Sequence, residues 1–175
     1  MEMWSFTKKG DDGTSLLIGN DNIPKSDVVF DLIGTIDELS AFIGITISHL
    51  EEPEYRRILK GIQAELSHIM GDISGFSDKT NSKKFDLGKA IKRLENQIQV
   101  HEEKLNNPER FIPPGNSKEG SFLDLDRVVA RRAERVCIRW KLKYEIRSHD
   151  YCIYLNRLSS LFFILRLVFD GRGTT

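Results

Sequence analysis

The stretch FDLIGTIDELSAFIG, Phe30 to Gly44, decides the fold class, because its apolar residues recur at helical spacing. The steps of three and four residues continue on both sides and form one apolar stripe: Val29, Leu32, Ile36, Leu39, Ile43 and Ile47. Ser26 or Asp27 stands before this stripe as a candidate N-cap. The stretch therefore predicts an amphipathic helix that buries one face.

The same spacing predicts four further helices along the chain. Pro53 suits the first turn of the second helix, and the third runs from about Leu87 to Leu105. The fourth is expected over Ser121 to Leu142 and the fifth over Asp150 to Phe169. The intervening 77–84 and 106–120 are expected to be non-helical, the latter with three of the five prolines. Five long helices without convincing strands predict an all-α, ferritin-like five-helix bundle.

Composition narrows the class of protein. The chain has 175 residues, which fits a single domain over 1–175, with an N-terminal loop or short hairpin in 1–25 and the bundle in 26–170. Charged residues make up 30% and the formal net charge is zero, which argues against a nucleic-acid-coating protein. The apolar run LFFILRLVF, Leu161 to Phe169, is too short to span a bilayer. We expect a soluble, cytoplasmic protein with no nucleic-acid or membrane partner.

An unusual concentration of positive charge lies in the fourth predicted helix. RVVARRAERV, Arg127 to Val136, places Arg127, Arg131 and Arg135 four residues apart, so the three share a helix face. From Arg127 to Lys143, seven positive residues stand against one glutamate. Such a row is either a solvated surface or an oxyanion site, because guanidinium groups match phosphate oxygens. Spacing alone leaves both interpretations open.

A second feature is the glycine-containing stretch TKKGDDGTS, Thr7 to Ser15. Gly10 and Gly13 allow backbone amides to approach a ligand closely, and the threonine and serine residues add hydroxyl groups. Lys25 adds a positive charge nearby in sequence. Glycine-aspartate loops are also common turns, so this stretch alone is a weak signal.

Taken together and in order, five stretches resemble the PduO-type ATP:cob(I)alamin (corrinoid) adenosyltransferases. They are TKKGDDGTS, FDLIGTIDELSAFIG, FIPPGN (Phe111 to Asn116), RVVARRAERV and YLNRLSSLFFILR (Tyr154 to Arg166). The resemblance implies a bundle that assembles as a homotrimer and binds ATP with Mg²⁺ between subunits. It implies transfer of the 5′-deoxyadenosyl group of ATP to cobalt of cob(I)alamin, giving adenosylcobalamin and triphosphate. The alternative is a non-catalytic protein that binds ATP or delivers adenosylcobalamin.

The resemblance also implies roles for individual residues. The ATP-binding set would be Thr7, Lys8, Lys9, Gly10, Asp11, Gly13, Thr14, Ser15, Lys25, Arg131, Arg132, Glu134, Arg135 and Asn156. The catalytic set would be Phe111, Arg131, Asp37 and Arg127. Of these, Phe111 would fill the lower face of the corrinoid, while Asp37 and Arg127 would form an ion pair. No protein ligand of the magnesium is identified.

Two departures from the family pattern affect the corrinoid side of the expected site. FIPPGN carries a proline and an asparagine where the family usually has leucine and a second glycine. The stretch after the last predicted helix, DGRGTT, is short. The expected partners are ATP, cobalamin, a cob(II)alamin reductase and an enzyme that depends on adenosylcobalamin. The sequence does not indicate which corrinoid is preferred.

Overall fold

The computed structural model describes residues 10–17, 22–75, 85–105 and 112–172. Five helices dominate the described chain: α1 Val28–His49, α2 Pro53–Ile73, α3 Leu87–Glu102, α4 Lys118–Lys143 and α5 Asp150–Arg172. Two short strands precede them, β1 Thr14–Leu16 and β2 Asn22–Pro24. The prediction of an all-α five-helix bundle is confirmed.

Side-chain caps explain where three of the helices begin. The Asp27 carboxylate accepts the Val29 amide at 3.0 Å, so Asp27 rather than Ser26 caps α1. Asp86 caps α3 in the same way. The Ser117 hydroxyl accepts the Gly120 amide at 3.0 Å and starts α4 at Lys118. The sequence prediction of a non-helical 106–120 is therefore wrong for its last three residues, because this cap lies upstream of the expected start at Ser121.

Helix α5 forms the centre of the bundle. It packs against α4 and α3, while α4 also packs against α1 and α1 against α2. Its inward side chains are completely buried, among them Tyr154, Leu158, Phe162 and Leu165. The span Asp150–Gly171 is long and apolar enough to cross a bilayer by length and composition, but 61% of its most apolar window is buried inside the bundle. This burial explains its composition as that of a core helix.

The N-terminal segment contains the short hairpin that the sequence offered as one possibility. Strands β1 and β2 pair antiparallel, with Ser15 opposite Ile23. Directly after β2, the Lys25 amide donates to the Gly13 carbonyl at 2.8 Å, and Asp27 then caps α1. Asp27 also accepts hydrogen bonds from Lys143 and Tyr144. The hairpin and the C-terminal end of α4 therefore lie at the same end of the bundle.

The two cysteines face each other across α4 and α5. Their sulfur atoms are 3.1 Å apart and both are free thiols, with Cys137 buried and Cys152 half-buried. The hydrogen bond to Cys152, together with burial, raises the pKa of the Cys137 thiol. The hydrogen bond from Cys137 lowers the pKa of the Cys152 thiol. The two thiols therefore share one hydrogen bond, in which either sulfur can be the donor.

Candidate functional site

The glycine loop is a tight backbone turn closed by a lysine. Gly10 and Gly13 have φ of 85° and 83°, a region that favours glycine. The Lys25 ammonium donates to the Gly10 carbonyl at 2.6 Å. A Cβ atom at Gly10 would lie 2.7 Å from the Thr14 carbonyl oxygen, which is closer than such contacts allow. Gly10 is thus required both by its φ and by the close approach of the chain.

The Asp12 side chain stabilises the end of this turn that leads into β1. The Asp12 carboxylate accepts the Thr14 amide at 2.9 Å and the Thr14 hydroxyl at 2.8 Å. Both hydrogen bonds lower the pKa of Asp12, the one from the backbone amide more strongly. Asp12 was not among the predicted site residues. An aspartate two residues before a threonine, inside a glycine turn, is the signal that identifies it.

The turn borders a cleft of about 570 Å³, called here the loop cleft. It contains most of the described residues that were predicted to bind ATP in this segment. Its lining is Gly10, Asp11, Asp12, Thr14, Ser15, Leu16 and Asn22. Thr7, Lys8 and Lys9 lie outside the described residues, and so does Phe111.

The arginines of the predicted row on α4 make different contacts. Arg131 and Arg135 are exposed, and the Arg135 guanidinium donates to the Arg131 carbonyl at 3.0 Å. Arg132 instead forms an ion pair with Glu38 on α1. Glu134 accepts the Asn156 side-chain amide at 3.0 Å, which fixes Asn156 of α5 beside the row. The structure therefore brings Asn156 and Glu134 together, and leaves Arg131 and Arg135 with exposed side chains.

Arg127 belongs to a different environment, at the interface of α4 and α5. Its Nε atom donates to Asp124 at 2.9 Å, and the buried Arg166 donates to the same carboxylate oxygen at 2.9 Å. Burial raises the pKa of Asp124, but Arg127 and Arg166 outweigh it and the pKa is lowered overall. Asp37, the expected partner of Arg127, is exposed on α1. Within one chain, Asp124 is therefore the carboxylate that Arg127 contacts.

A second cleft of about 410 Å³, called here the arginine cleft, lies along α3, α4 and α5. Two predicted site residues, Arg127 and Arg131, line it. The other lining residues are Ile98, Glu102, Ser159, Ser160, Phe163 and Ile164. Sequence reasoning missed Ser159, Ser160 and Phe163. They follow Asn156 by three, four and seven residues, so helical periodicity from Asn156 was the available signal.

The two clefts are separate within one chain. They share no lining residue among those that the structure describes. The hairpin lies at the Lys143 end of α4, because Asp27 contacts Lys143. Arg131 precedes Lys143 by twelve helical residues, which corresponds to roughly 18 Å along the axis. Within one chain, the described residues that were predicted to bind ATP thus lie in two separate regions, the hairpin and the α4–α5 surface.

The chain is similar to known proteins over nearly its whole length. A family model described as cobalamin adenosyltransferase matches residues 5–169. The corrinoid adenosyltransferase of Bacillus subtilis is 33% identical, over 96% of this chain and 87% of that protein. A variant of the PduO-type ATP:corrinoid adenosyltransferase of Lactobacillus reuteri, complexed with ATP, has a TM-score of 0.83 and 28% identity, over 95% of this chain and 94% of that one.

A second variant of the Lactobacillus reuteri enzyme, complexed with cobalamin and ATP, is equally similar in fold. Its TM-score is 0.81 with 28% identity, over 93% of this chain and 91% of that one. The family match extends from before the glycine loop to Phe169, within α5. The chain therefore belongs to the cobalamin adenosyltransferase family.

Proposed function

We propose that the protein transfers the 5′-deoxyadenosyl group of ATP to the cobalt of cob(I)alamin, giving adenosylcobalamin and triphosphate. The observation that carries the proposal is the arginine cleft, in which Arg127 and Arg131 line a surface beside Asn156 in a member of this family. Guanidinium groups that are not neutralised by a nearby carboxylate are suited to phosphate oxygens. Arg131 is the cleft residue that meets this condition. Among the described residues its guanidinium pairs with no carboxylate, and its contact is the hydrogen bond that its backbone carbonyl accepts from Arg135.

The reaction needs little acid–base chemistry from the protein. Cob(I)alamin is itself the nucleophile that attacks the 5′ carbon, so the polypeptide contributes position and electrostatics. Triphosphate gains negative charge as it leaves, and Arg131, Arg135 and Lys25 would stabilise that charge. Each charge-assisted hydrogen bond of this kind contributes on the order of 1.5–3 kcal/mol.

The separation of the loop cleft and the arginine cleft within one chain supports assembly of the site between copies of the chain. The loop cleft of one subunit would face the arginine cleft of the next, in a homotrimer. Exposed apolar side chains on α1 and α4, namely Ile45, Leu125 and Val128, offer a surface for such contacts. Asp37 on this surface would then reach Arg127 of the neighbouring copy. Loss of one member of such a buried pair is expected to cost about 3–5 kcal/mol.

Magnesium and the corrinoid complete the proposal. We assign Mg²⁺ to the phosphate oxygens of bound ATP, since Mg²⁺ in nucleotide sites is usually held by substrate phosphates with few protein ligands. Phe111 would occupy the lower face of the corrinoid and ease reduction of cob(II)alamin by removing the lower axial ligand. A reductase would supply the electron, and an adenosylcobalamin-dependent enzyme would receive the product. The single-domain assignment and the cytoplasmic location stay predictions.

The proposal is tested by incubating the protein anaerobically with ATP, Mg²⁺ and chemically reduced cobalamin. Light-sensitive adenosylcobalamin and triphosphate should form in equal amounts. If ATP binds and no product exceeds the protein-free control, the protein is a binding or delivery protein instead.

A matched pair of variants locates the phosphate site. Arg131→Ala should raise the KM for ATP or lower kcat by about tenfold or more, because a charge-assisted contact is removed. Arg139→Ala is the control, since Arg139 is an exposed arginine on the same helix that does not line the arginine cleft. Equal kinetics in both variants would remove Arg131 from the site.

A further inference from the structure

Arg166 is a buried arginine whose donors are used for two different purposes. Its side chain is only 3% exposed. Nε donates to Asp170 at 3.1 Å and Nη1 donates to Asp124 at 2.9 Å. Nη2 donates to two consecutive backbone carbonyls, those of Ile112 at 2.7 Å and Pro113 at 2.6 Å. The carboxylates balance the charge of Arg166, while the carbonyls tie it to the loop before α4.

We propose that Arg166 is a positioning residue that clamps the segment Ile112–Ser117 onto α5 and, through Asp124, orients Arg127. This inference rests on the proposed function, because its consequence is for the corrinoid side of that site. Ile112 directly follows Phe111 in sequence. The clamp therefore fixes the chain one residue away from the side chain proposed to cover the lower face of the corrinoid.

The clamp holds the segment at both of its ends. Arg166 binds the carbonyls at the start of the segment, and Asp170 accepts the Ser117 hydroxyl at 2.7 Å at its end. The Pro113 and Pro114 nitrogens carry no hydrogen, so this part of the chain has few donors of its own for a regular ladder. At its start the segment is therefore attached through backbone carbonyl oxygens, and at its end through the Ser117 hydroxyl.

The start of α4 packs closely against the end of α5. A Cβ atom at Gly120 would overlap Asp170 Oδ1, and it would lie 2.5 Å from the Ser117 hydroxyl. The first turn of α4 therefore packs directly against the Asp170 carboxylate that Arg166 also binds. Substitution of Gly120 would displace this carboxylate and loosen the clamp.

Asp124 extends the network from the loop to the arginine cleft. Its Oδ1 atom accepts from both Arg166 and Arg127, each at 2.9 Å, and Arg127 lines the cleft. Two arginines and two aspartates thus form one chain of contacts. Buried ion pairs add little net stability over well-packed apolar side chains, so the distinctive contribution of this chain is geometric. It holds the loop and Arg127 in a fixed relation.

Arg166→Lys is the first test. A lysine keeps the positive charge between the two aspartates, but its single ammonium group does not reproduce the planar fork that reaches four acceptors. Hydrogen–deuterium exchange at the Gly120 and Ser121 amides, which donate to Ser117, should become at least about tenfold faster, because charge-assisted bonds that hold the segment are lost. This readout requires neither ATP nor corrinoid.

Tyr154→Phe is the matched control on the same helix. It removes a buried hydrogen bond of 2.7 Å to Glu65, which is another charged contact of α5 but lies outside the clamp. This variant should leave exchange at the Gly120 and Ser121 amides unchanged. Equal exchange in Arg166→Lys and wild type, or equally faster exchange in both variants, would overturn the clamp.

The second readout is spectroscopic and catalytic. With ATP present, Arg166→Lys should bind cob(II)alamin with a smaller fraction in the form that lacks a lower axial ligand. Turnover from cob(II)alamin should fall by about tenfold or more while the KM for ATP changes less than about twofold. An unchanged axial-ligand signature would contradict the positioning role.

Asp124→Asn decides the question if Arg166→Lys does not fold. Both arginines donate to Asp124 Oδ1, so loss of the carboxylate charge should weaken both contacts. The rate should fall, and exchange at the Gly120 and Ser121 amides should become faster. An unchanged rate would refute the link to Arg127. If wild type shows no transfer while Arg166→Lys still frees the segment, the proposed function fails and the clamp stands.

Discussion

Asp126 makes stability depend on pH in an unusual direction. It lies on α4, completely buried against α1, where the Thr46 hydroxyl donates to its Oδ2 atom at 2.6 Å. Its Oδ1 atom has no hydrogen-bond partner among the residues that the structure describes. Burial raises the pKa of Asp126 to about 7 from 3.8, and the hydrogen bond from Thr46 only partly opposes this. The folded protein therefore binds this proton more tightly than the unfolded chain does.

The sign of the effect follows from proton linkage. Between pH 3.8 and about 7 the folded state holds more protons at Asp126, so the free energy of unfolding falls as pH rises. The stabilisation is complete below the unfolded pKa and is lost as pH rises through the folded pKa. Between pH 5 and pH 8 the expected loss from this group is about 3 kcal/mol.

The perturbation is Asp126→Asn, which resembles the protonated carboxyl and does not titrate. Urea unfolding at fixed protein concentration, at pH 5 and pH 8, gives the difference in unfolding free energy between variant and wild type. This difference should rise by about 2–3 kcal/mol in favour of the variant from pH 5 to pH 8. Asp31→Asn is the control, because Asp31 is exposed on α1. A difference that stays constant with pH would refute the buried, protonated Asp126.

Three further predictions concern glycine positions and the corrinoid face. Gly10→Ala should raise the KM for ATP by about tenfold, because of the positive φ of Gly10 and the contact that a Cβ atom would make with the Thr14 carbonyl. Gly13→Ala is the comparison: the space around Gly13 is open, so this variant carries only the backbone strain of ~1–2 kcal/mol. Equal steady-state kinetics would contradict this. Gly61→Ala, in the interior of α2 with open space, should stabilise the fold by about 0.5–1 kcal/mol in thermal unfolding, and a lower Tm would be inconsistent. Phe111→Ala should slow turnover from cob(II)alamin far more than turnover from cob(I)alamin, and equal losses would argue against an axial role.

The helices were predictable because their signal is local. The apolar stripe from Val29 to Ile47 indicates a buried face within a few helical turns, and the residues of this stripe are buried in the bundle. The choice between Ser26 and Asp27 was not predictable, since it depends on which side chain reaches the Val29 amide. For the same reason the start of α4 was not predictable, since it depends on the contact of the Ser117 hydroxyl with the Gly120 amide.

The site was predictable in its residue types and not in its network. Arginine spacing identified the face of α4, but Arg132 pairs with Glu38 on another helix. The contact between Arg166 and Asp124 joins residues 42 positions apart, and no periodicity within one helix reports such a pairing. The position of Asp126 on a buried face was equally hidden, because a charged residue at a core position is normally excluded.

In the proposed function, the ATP site is completed by a second copy of the chain, which brings together Lys25 of one subunit and Arg131 of the next. It is tested most directly with mixed oligomers of Lys25→Ala and Arg131→Ala, each expected to keep about a tenth or less of wild-type activity alone, formed by co-expression in equal amounts. Random assembly of a trimer would restore about one quarter of the sites, and thus about one quarter of wild-type transferase activity. Activity no higher than that of either variant alone would show that each chain supplies a complete site by itself.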